Sequence, residues 1–311
     1  MQQEPIIYDT NNDQRHLYTL NILKKKFYFS LICLIAVEVG YTQNRDSTSH
    51  SGLLISGVAA TAYVGSIWAL SEIWYEDQRR DNFHFFNDNN EWMQMDKAGH
   101  FYSGYHISRA SADILQSLKV DSTKSLYYGA LAGFMLLLPI EVLDGYSDDY
   151  GASYGDVIAN GAGSLLFLGQ ELLFQAPVIK PKFSFHRTGY PAYRKELLGE
   201  NLSQQVVKDY NGQTYWLSVD MDKMFRQWPP WLNLAIGYGA NDMVSASNES
   251  SISRGFNPYR QWFISLDPDL TFLYGENKWL NGLIYVLDLV KIPAPTIELS
   301  EGNLKGHWYY F

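Results

Sequence analysis

The sequence predicts an α+β chain, an N-terminal helical bundle followed by an antiparallel β-rich part, and three observations carry that expectation. Between residues 51 and 174 the apolar residues fall in long runs separated by short polar connections. Past Phe174 the period shortens to two. In "TYWLSVDMD", Tyr215, Leu217, Val219 and Met221 alternate with Trp216, Ser218, Asp220 and Asp222; "LNLAIGYG" and "QWFISLD" alternate likewise. Between the two regimes stands "QAPVIKPKF", whose two prolines mark a boundary near residues 175 to 185.

The N-terminal stretch "KKKFYFSLICLIAVEVGYT", residues 24–42, has a basic cluster, an apolar run from Phe27 to Val37, and small Gly40 and Thr42 ahead of Gln43. That is the layout of a secretory signal peptide, with a first transmembrane anchor as the alternative. Ile32 precedes the single Cys33, where a lipid-anchoring signal needs a small residue. The expected organisation is therefore a leader and signal peptide over 1–42, a helical domain over 50–175 and a β-rich aromatic domain over 182–311.

Four helices are expected in the first part. "SGLLISGVAATAYVGSIWALSEIWY", residues 51–75, suits either a bilayer span or close packing through its small residues. A polar connection leads to an amphipathic helix from about Asp96. An apolar helix follows from Leu126, with a kink expected at Pro139, and a fourth runs through "YGDVIANGAGSLLFLGQELLF". In the second part "KWLNGLIYVLDLV" reads as a helix among five or six strands. The closing "GHWYYF" with terminal Phe311 resembles the strand that closes outer-membrane barrels, although such barrels need about eight strands.

Composition narrows the function. A net charge of −9 removes nucleic acid as the main partner, because phosphate binding needs a basic field. Nine Trp and 23 Tyr fit a membrane interface or a β-surface, so a membrane is the expected partner.

The chemistry gathers in three polar pairs at helical spacing. Asp96 and His100 share a helix face with Lys97 beside them; Glu141 and Asp144 share another; Asp156 and Asn160 a third. Asp96 also reads as an N-cap, and Asp156 stands three residues after Ser153, the spacing of a capping box. Glu141 and Asp144 fall in the last turn of the expected helix, where the macrodipole disfavours anions, so Lys97, Arg109, charged His100 or a metal ion is expected near them. Each pair lies near a helix end beside the acidic loop "EVLDGYSDDYGASYGD", and the three are expected to converge.

"DKAGHF", "EVLDGYS" and "GASYGDVIANGAG" are similar to the ordered motifs of domain of unknown function 2279, a group of predicted periplasmic lipoproteins, over residues 94–175. The matching positions are Asp96, Lys97, His100, Glu141, Asp144, Gly145, Asp156, Asn160 and Gly163. A more distant resemblance is to VanZ-like membrane proteins. The resemblance implies a cell-envelope protein on the periplasmic side, with no established reaction attached.

Three uses of the residues stay open. His100, Glu141, Asp144 and Asp156 form a candidate acid–base set, or ligands for a divalent ion of the Zn, Mn or Mg sort. With Asp96, Lys97, Asn160 and Arg109 they also make a structural or ligand-binding network. An envelope lipid or glycan is the candidate substrate or ligand. Calcium loops and Ser nucleophiles find no matching motif.

Overall fold

In the computed structural model the described residues are 57, 61, 63–65, 82–148, 150–225 and 227–311. The expected leader and signal peptide, 1–42, lies outside them. Of the expected helix at 51–75 only Gly57, Thr61, Tyr63, Val64 and Gly65 are described, all helical, with Thr61 Oγ1 donating to the Gly57 carbonyl at 2.8 Å. The chain divides into two compact units, Met1–Glu76 and Asp77–Phe311. The second holds every element named below.

Helix α1 spans Met95–Ser117, α2 Ser122–Met135, α3 Leu138–Asp144 and α4 Tyr154–Phe174. Asp121 caps α2 by accepting from the Lys124 amide, and Ser153 caps α4 by accepting from the Asp156 amide. Where one kinked helix was expected over 125–144, two helices stand. Pro139 lies in the first turn of α3, a position that needs no backbone donor. The break moves Glu141 from the end of a long helix into the first turn of a short one. There the macrodipole favours an anion, so the expected helix-end penalty is absent, and it is burial that pushes the Glu141 carboxyl up to about 7.

Helix α1 packs against both α2 and α4. At the second crossing the backbones touch: a Cβ built on Gly163 would lie 2.0 Å from the Phe101 carbonyl oxygen. Only glycine allows that approach. Ser122–Asp144 as a whole and Tyr154–Phe174 are each long and apolar enough to cross a membrane, and only 28% and 33% of their apolar windows are buried in the protein.

The described part then becomes a six-stranded antiparallel meander, β1 Ile179–Phe185, β2 Gln213–Val219, β3 Leu232–Asn241, β4 Tyr259–Pro268, β5 Ala294–Ser300 and β6 Asn303–Tyr310. Short helices α5 (Lys195–Leu198) and α6 (Leu202–Lys208) join β1 to β2, α7 (Asn248–Ser253) joins β3 to β4, and α8 (Lys278–Leu287) joins β4 to β5. The free edge of β1 is bridged by Val290 opposite Phe183. Helices and sheet are tied together: the Gln170 side chain on α4 both donates to the Ile179 carbonyl and accepts from its amide, at 3.1 and 2.9 Å, and His106 Nε2 on α1 bonds the Pro181 carbonyl at 2.8 Å.

The alternation expected in the strands is present, but its buried face is the polar one. Ser218 on β2 is fully buried, whereas Leu217 beside it is exposed. On that inward face Lys182 pairs with Asp267 at 2.8 Å and with Asp288 at 2.9 Å, and Lys180 pairs with Asp269 at 2.9 Å. Trp216, Ala235 and Phe263, with Tyr310 against them, form the small apolar part of this interior.

Gly163→Ala is expected to lower stability by about 1–3 kcal/mol in denaturation through overpacking. Gly169→Ala on the same helix, where a Cβ meets nothing within 4 Å, is expected to be neutral or to raise stability by up to about 1 kcal/mol.

Candidate functional site

The site begins with an unusual entry to α1. Trp92, Met93 and Gln94 have φ of 46°, 52° and 63°, a run of left-handed backbone without glycine. Such residues cost about 1–2 kcal/mol each. The sheet side of the unit holds them: the Trp92 amide donates to the Ala246 carbonyl at 2.8 Å, Tyr238 Oη donates to the Met93 carbonyl, and Arg260 donates to Gln94 Oε1 at 2.7 Å. The turn makes Gln94, not Asp96, the N-cap of α1. Asp96 stands inside the first turn, free to serve the cluster.

Lys97 and His100 organise the centre. Lys97 Nζ lies 2.7 Å from Asp88 Oδ1, 3.0 Å from Asp156 Oδ1 and 3.8 Å from Asp96 Oδ2. His100 Nδ1 lies 2.9 Å from Asn160 Oδ1 and 3.7 Å from Glu141 Oε1, while Nε2 lies 3.8 Å from Asp96 Oδ1. Tyr210 Oη, from the loop ahead of β2, donates to Asp96 Oδ1 at 2.9 Å. The capping box at α4 is divided: Ser153 Oγ accepts from the Asp156 amide, but the Ser153 amide donates to Glu141 Oε2 at 3.1 Å. The Asp156 carboxylate is thereby left for Lys97.

Four carboxylates, Asp88, Asp96, Glu141 and Asp156, face two cations. Burial opposes charge on His100, yet Asp96, Asp156 and Glu141, with the hydrogen bond to Asn160, outweigh it and raise its pKa to about 9. Burial likewise opposes charge on Lys97, and Asp96, Asp156 and Asp88 raise its pKa regardless. Burial pushes the Asp88 carboxyl above its ordinary range against the pull of Lys97 and Ser153. Glu141 Oε1 and Asn160 Nδ2 are buried without a hydrogen-bond partner. Asp96, its side chain 31% exposed, is the opening of the cluster to the outside.

The structure thus brings Asp96, Lys97, His100, Glu141, Asp156 and Asn160 together. Asp144 is half-buried at the end of α3, and Asp148 is exposed. Arg109, expected as a counter-charge to Glu141, lies elsewhere: its guanidinium is 3.7 Å from Asp288 and sits over the Tyr285 ring, and His100 takes its place beside Glu141. The reason is distance along the helix, since nine residues separate His100 from Arg109 along α1 and its helical rise carries Arg109 to the sheet end of the unit.

Asp88, Ser153 and Tyr210 belong to the site and were not among the expected residues. Asp88 arrives on a strap, Phe83–Asn89, read from sequence as a polar connection. The strap bridges Phe85 to Ala152, donates from the His84 amide to the Gly145 carbonyl at 2.9 Å, and stacks Phe85 on Tyr154. Its Phe83–His84–Phe85 alternation was the available signal. The glycines of the acidic loop receive it: a Cβ on Gly155 would lie 2.3 Å from Asn89 Oδ1 and 3.0 Å from Lys97 Cε.

One subset has the chemistry of a metal site. A ligand atom each from Asp96, His100 and Asp156 lies within 4.8 Å of the others, a carboxylate–imidazole–carboxylate set that suits Zn or Mn.

Fold and site together define an α+β chain with a carboxylate-rich polar centre enclosed by helices. Residues 83–168 match a family model described as "Predicted periplasmic lipoprotein (DUF2279)". The matched stretch begins at the Phe83 strap and so takes in Asp88 as well as the motifs on α1, α3 and α4. The match supports an exported protein of the cell envelope and does not separate inner from outer membrane. No curated protein and no solved structure matches the chain significantly.

The raised pKa of His100 gives a pH test. Because its folded value of about 9 exceeds the ordinary 6.5, its stabilising contribution is complete below pH 6.5 and is lost as pH rises through 9. Chelator-treated protein is expected to lose stability over that window, and His100→Gln to remove the part of the loss above about pH 7, where the Glu141 carboxyl, pushed up to about 7 by burial, is past the midpoint of its own titration, in denaturation series across pH.

Proposed function

We propose that this chain is an exported, membrane-associated protein of the cell envelope whose cluster around Lys97, His100, Glu141, Asp156 and Asn160 is a ligand-binding core. The observation that carries the reading is the unclosed network: four carboxyl groups, among which burial pushes Glu141 up to about 7, meet two cations, with Glu141 Oε1 and Asn160 Nδ2 unpartnered and Asp96 open to the outside. A purely structural network closes its charges, because unpaired buried groups cost several kcal/mol. This one keeps a donor and an acceptor in reserve. Membrane association draws on the two apolar helical stretches, and an outer-membrane location on the aromatic, alternating strands.

A second reading rests on the trio of Asp96, His100 and Asp156. In it these residues hold a divalent cation, and Glu141 exchanges protons beside it, in the hydrolysis of an envelope lipid or glycan. The ion would supply the positive charge that the cluster lacks.

Metal analysis of the purified full chain distinguishes the two. Metal binding predicts about one divalent ion per chain after dialysis, lost in Asp96→Asn with little change in thermal unfolding, since an amide oxygen still accepts from Tyr210. Wild-type protein that takes up no Zn, Mn or Mg contradicts the metal reading and leaves an organic ligand.

A further inference from the structure

The six-stranded sheet is built inside out. Its inward positions carry buried Lys180, Lys182, Ser218, Asn233, Asp267 and Glu298, whose charges are paired within the fold. Its outward positions form apolar rows that run straight across the ladder. Leu217 stands opposite Ile236, Ile236 opposite Ile264, and Ile264 opposite Ile297. All four are between 39% and 55% exposed. A neighbouring row runs Tyr238, Trp262, Leu299 and Leu304, and no charged side chain stands in either. A groove of about 530 Å³ opens on this face between Leu234, Leu266, Pro295 and Trp308, and none of its lining residues belongs to the polar cluster.

We propose that this outward face lies against the hydrocarbon of a lipid bilayer. A sheet in water buries its apolar face and solvates the other; a sheet in lipid does the reverse, apolar outward and polar inward. A protein partner is the weaker fit, because a partner covers one patch of roughly 800 Å² per side. Here exposed apolar residues also cover other elements. On α8, Trp279, Leu283, Val286 and Leu287 share one exposed face, as in helices that lie in a membrane interface. On α4, Ile158, Leu165 and Leu173 are exposed along a helix of membrane-spanning length and composition. Strands β3 and β4 have ten residues each, within the range of about 9–11 that crosses a bilayer, and the four around them have seven or eight. An open edge is costly in lipid, and the β1 edge is paired at one position, where Phe183 bridges Val290.

This deepens the membrane association proposed above and is tested separately from it. Nitroxide labels at Ile264→Cys and Ile297→Cys, in the full chain with Cys33→Ser, are to be compared with one at Glu301→Cys in the exposed β5–β6 turn. The protein is reconstituted in phosphatidylethanolamine–phosphatidylglycerol vesicles. The expected result is that the two sheet labels collide several-fold more with oxygen, which partitions into lipid, than with a water-soluble nickel chelate, and that Glu301→Cys shows the opposite preference. Sheet labels open to the chelate overturn the proposal in favour of a solvated face. Labels shielded from both reagents overturn it in favour of a protein partner, a second copy included. Carbonate extraction reads the broader claim: if the unlabelled chain washes free of membranes, association itself fails, whereas a resistant chain with chelate-accessible sheet labels loses only this inference.

Discussion

The constraint on which the helical half depends is the placement of Lys97. Its ammonium joins three separate parts of the chain, the strap through Asp88, α1 itself and α4 through Asp156. Removing one member of such a buried pair strands the other, at about 3–5 kcal/mol. Several otherwise odd features then make sense together. The left-handed turn at Trp92–Gln94 returns Asp88 to the start of α1. The break after Met135 puts Glu141 in a first turn, where the macrodipole offsets part of the burial that pushes its carboxyl up to about 7, and the bare Cα of Gly155 leaves room for the Lys97 stem. The Gly163 crossing brings α1 and α4 close enough for His100 to reach Asn160.

Much of this was legible in the sequence, and the reasons for the rest are physical. Helical spacing is local, so the pairs Asp96–His100, Glu141–Asp144 and Asp156–Asn160 were readable from one stretch at a time. Asp88 and Tyr210 were not, because they reach the site through long-range packing that no local period records. Arg109 was misplaced for a related reason: a side chain on the right helix is still at the wrong height if it stands too many turns away. The break at Pro139 was foreseen as a kink, and it became a fresh helix start once Pro139 took a first-turn position.

The sheet carries a different lesson. A period of two assigns residues to two faces but does not say which face is inside. Tyr215, Leu217 and Val219 separated from Trp216 and Ser218 as expected, yet the polar partners and Trp216 went inward. Both halves of the unit show one logic: ionised groups gathered inside, apolar residues left outside. Pairing a buried charge satisfies the interior whatever the solvent, whereas so much exposed apolar surface marks a face that a membrane or a partner covers.

The central claim is that the helical cluster holds more negative charge than its own cations neutralise, with His100 charged in response. Nitrogen-15 NMR of the His100 ring in the reconstituted, metal-free chain reads this directly. The account predicts an imidazolium protonated on both nitrogens at neutral pH, losing a proton when a bound divalent cation takes over its role. A neutral imidazole at neutral pH, unchanged by zinc or manganese, would contradict it.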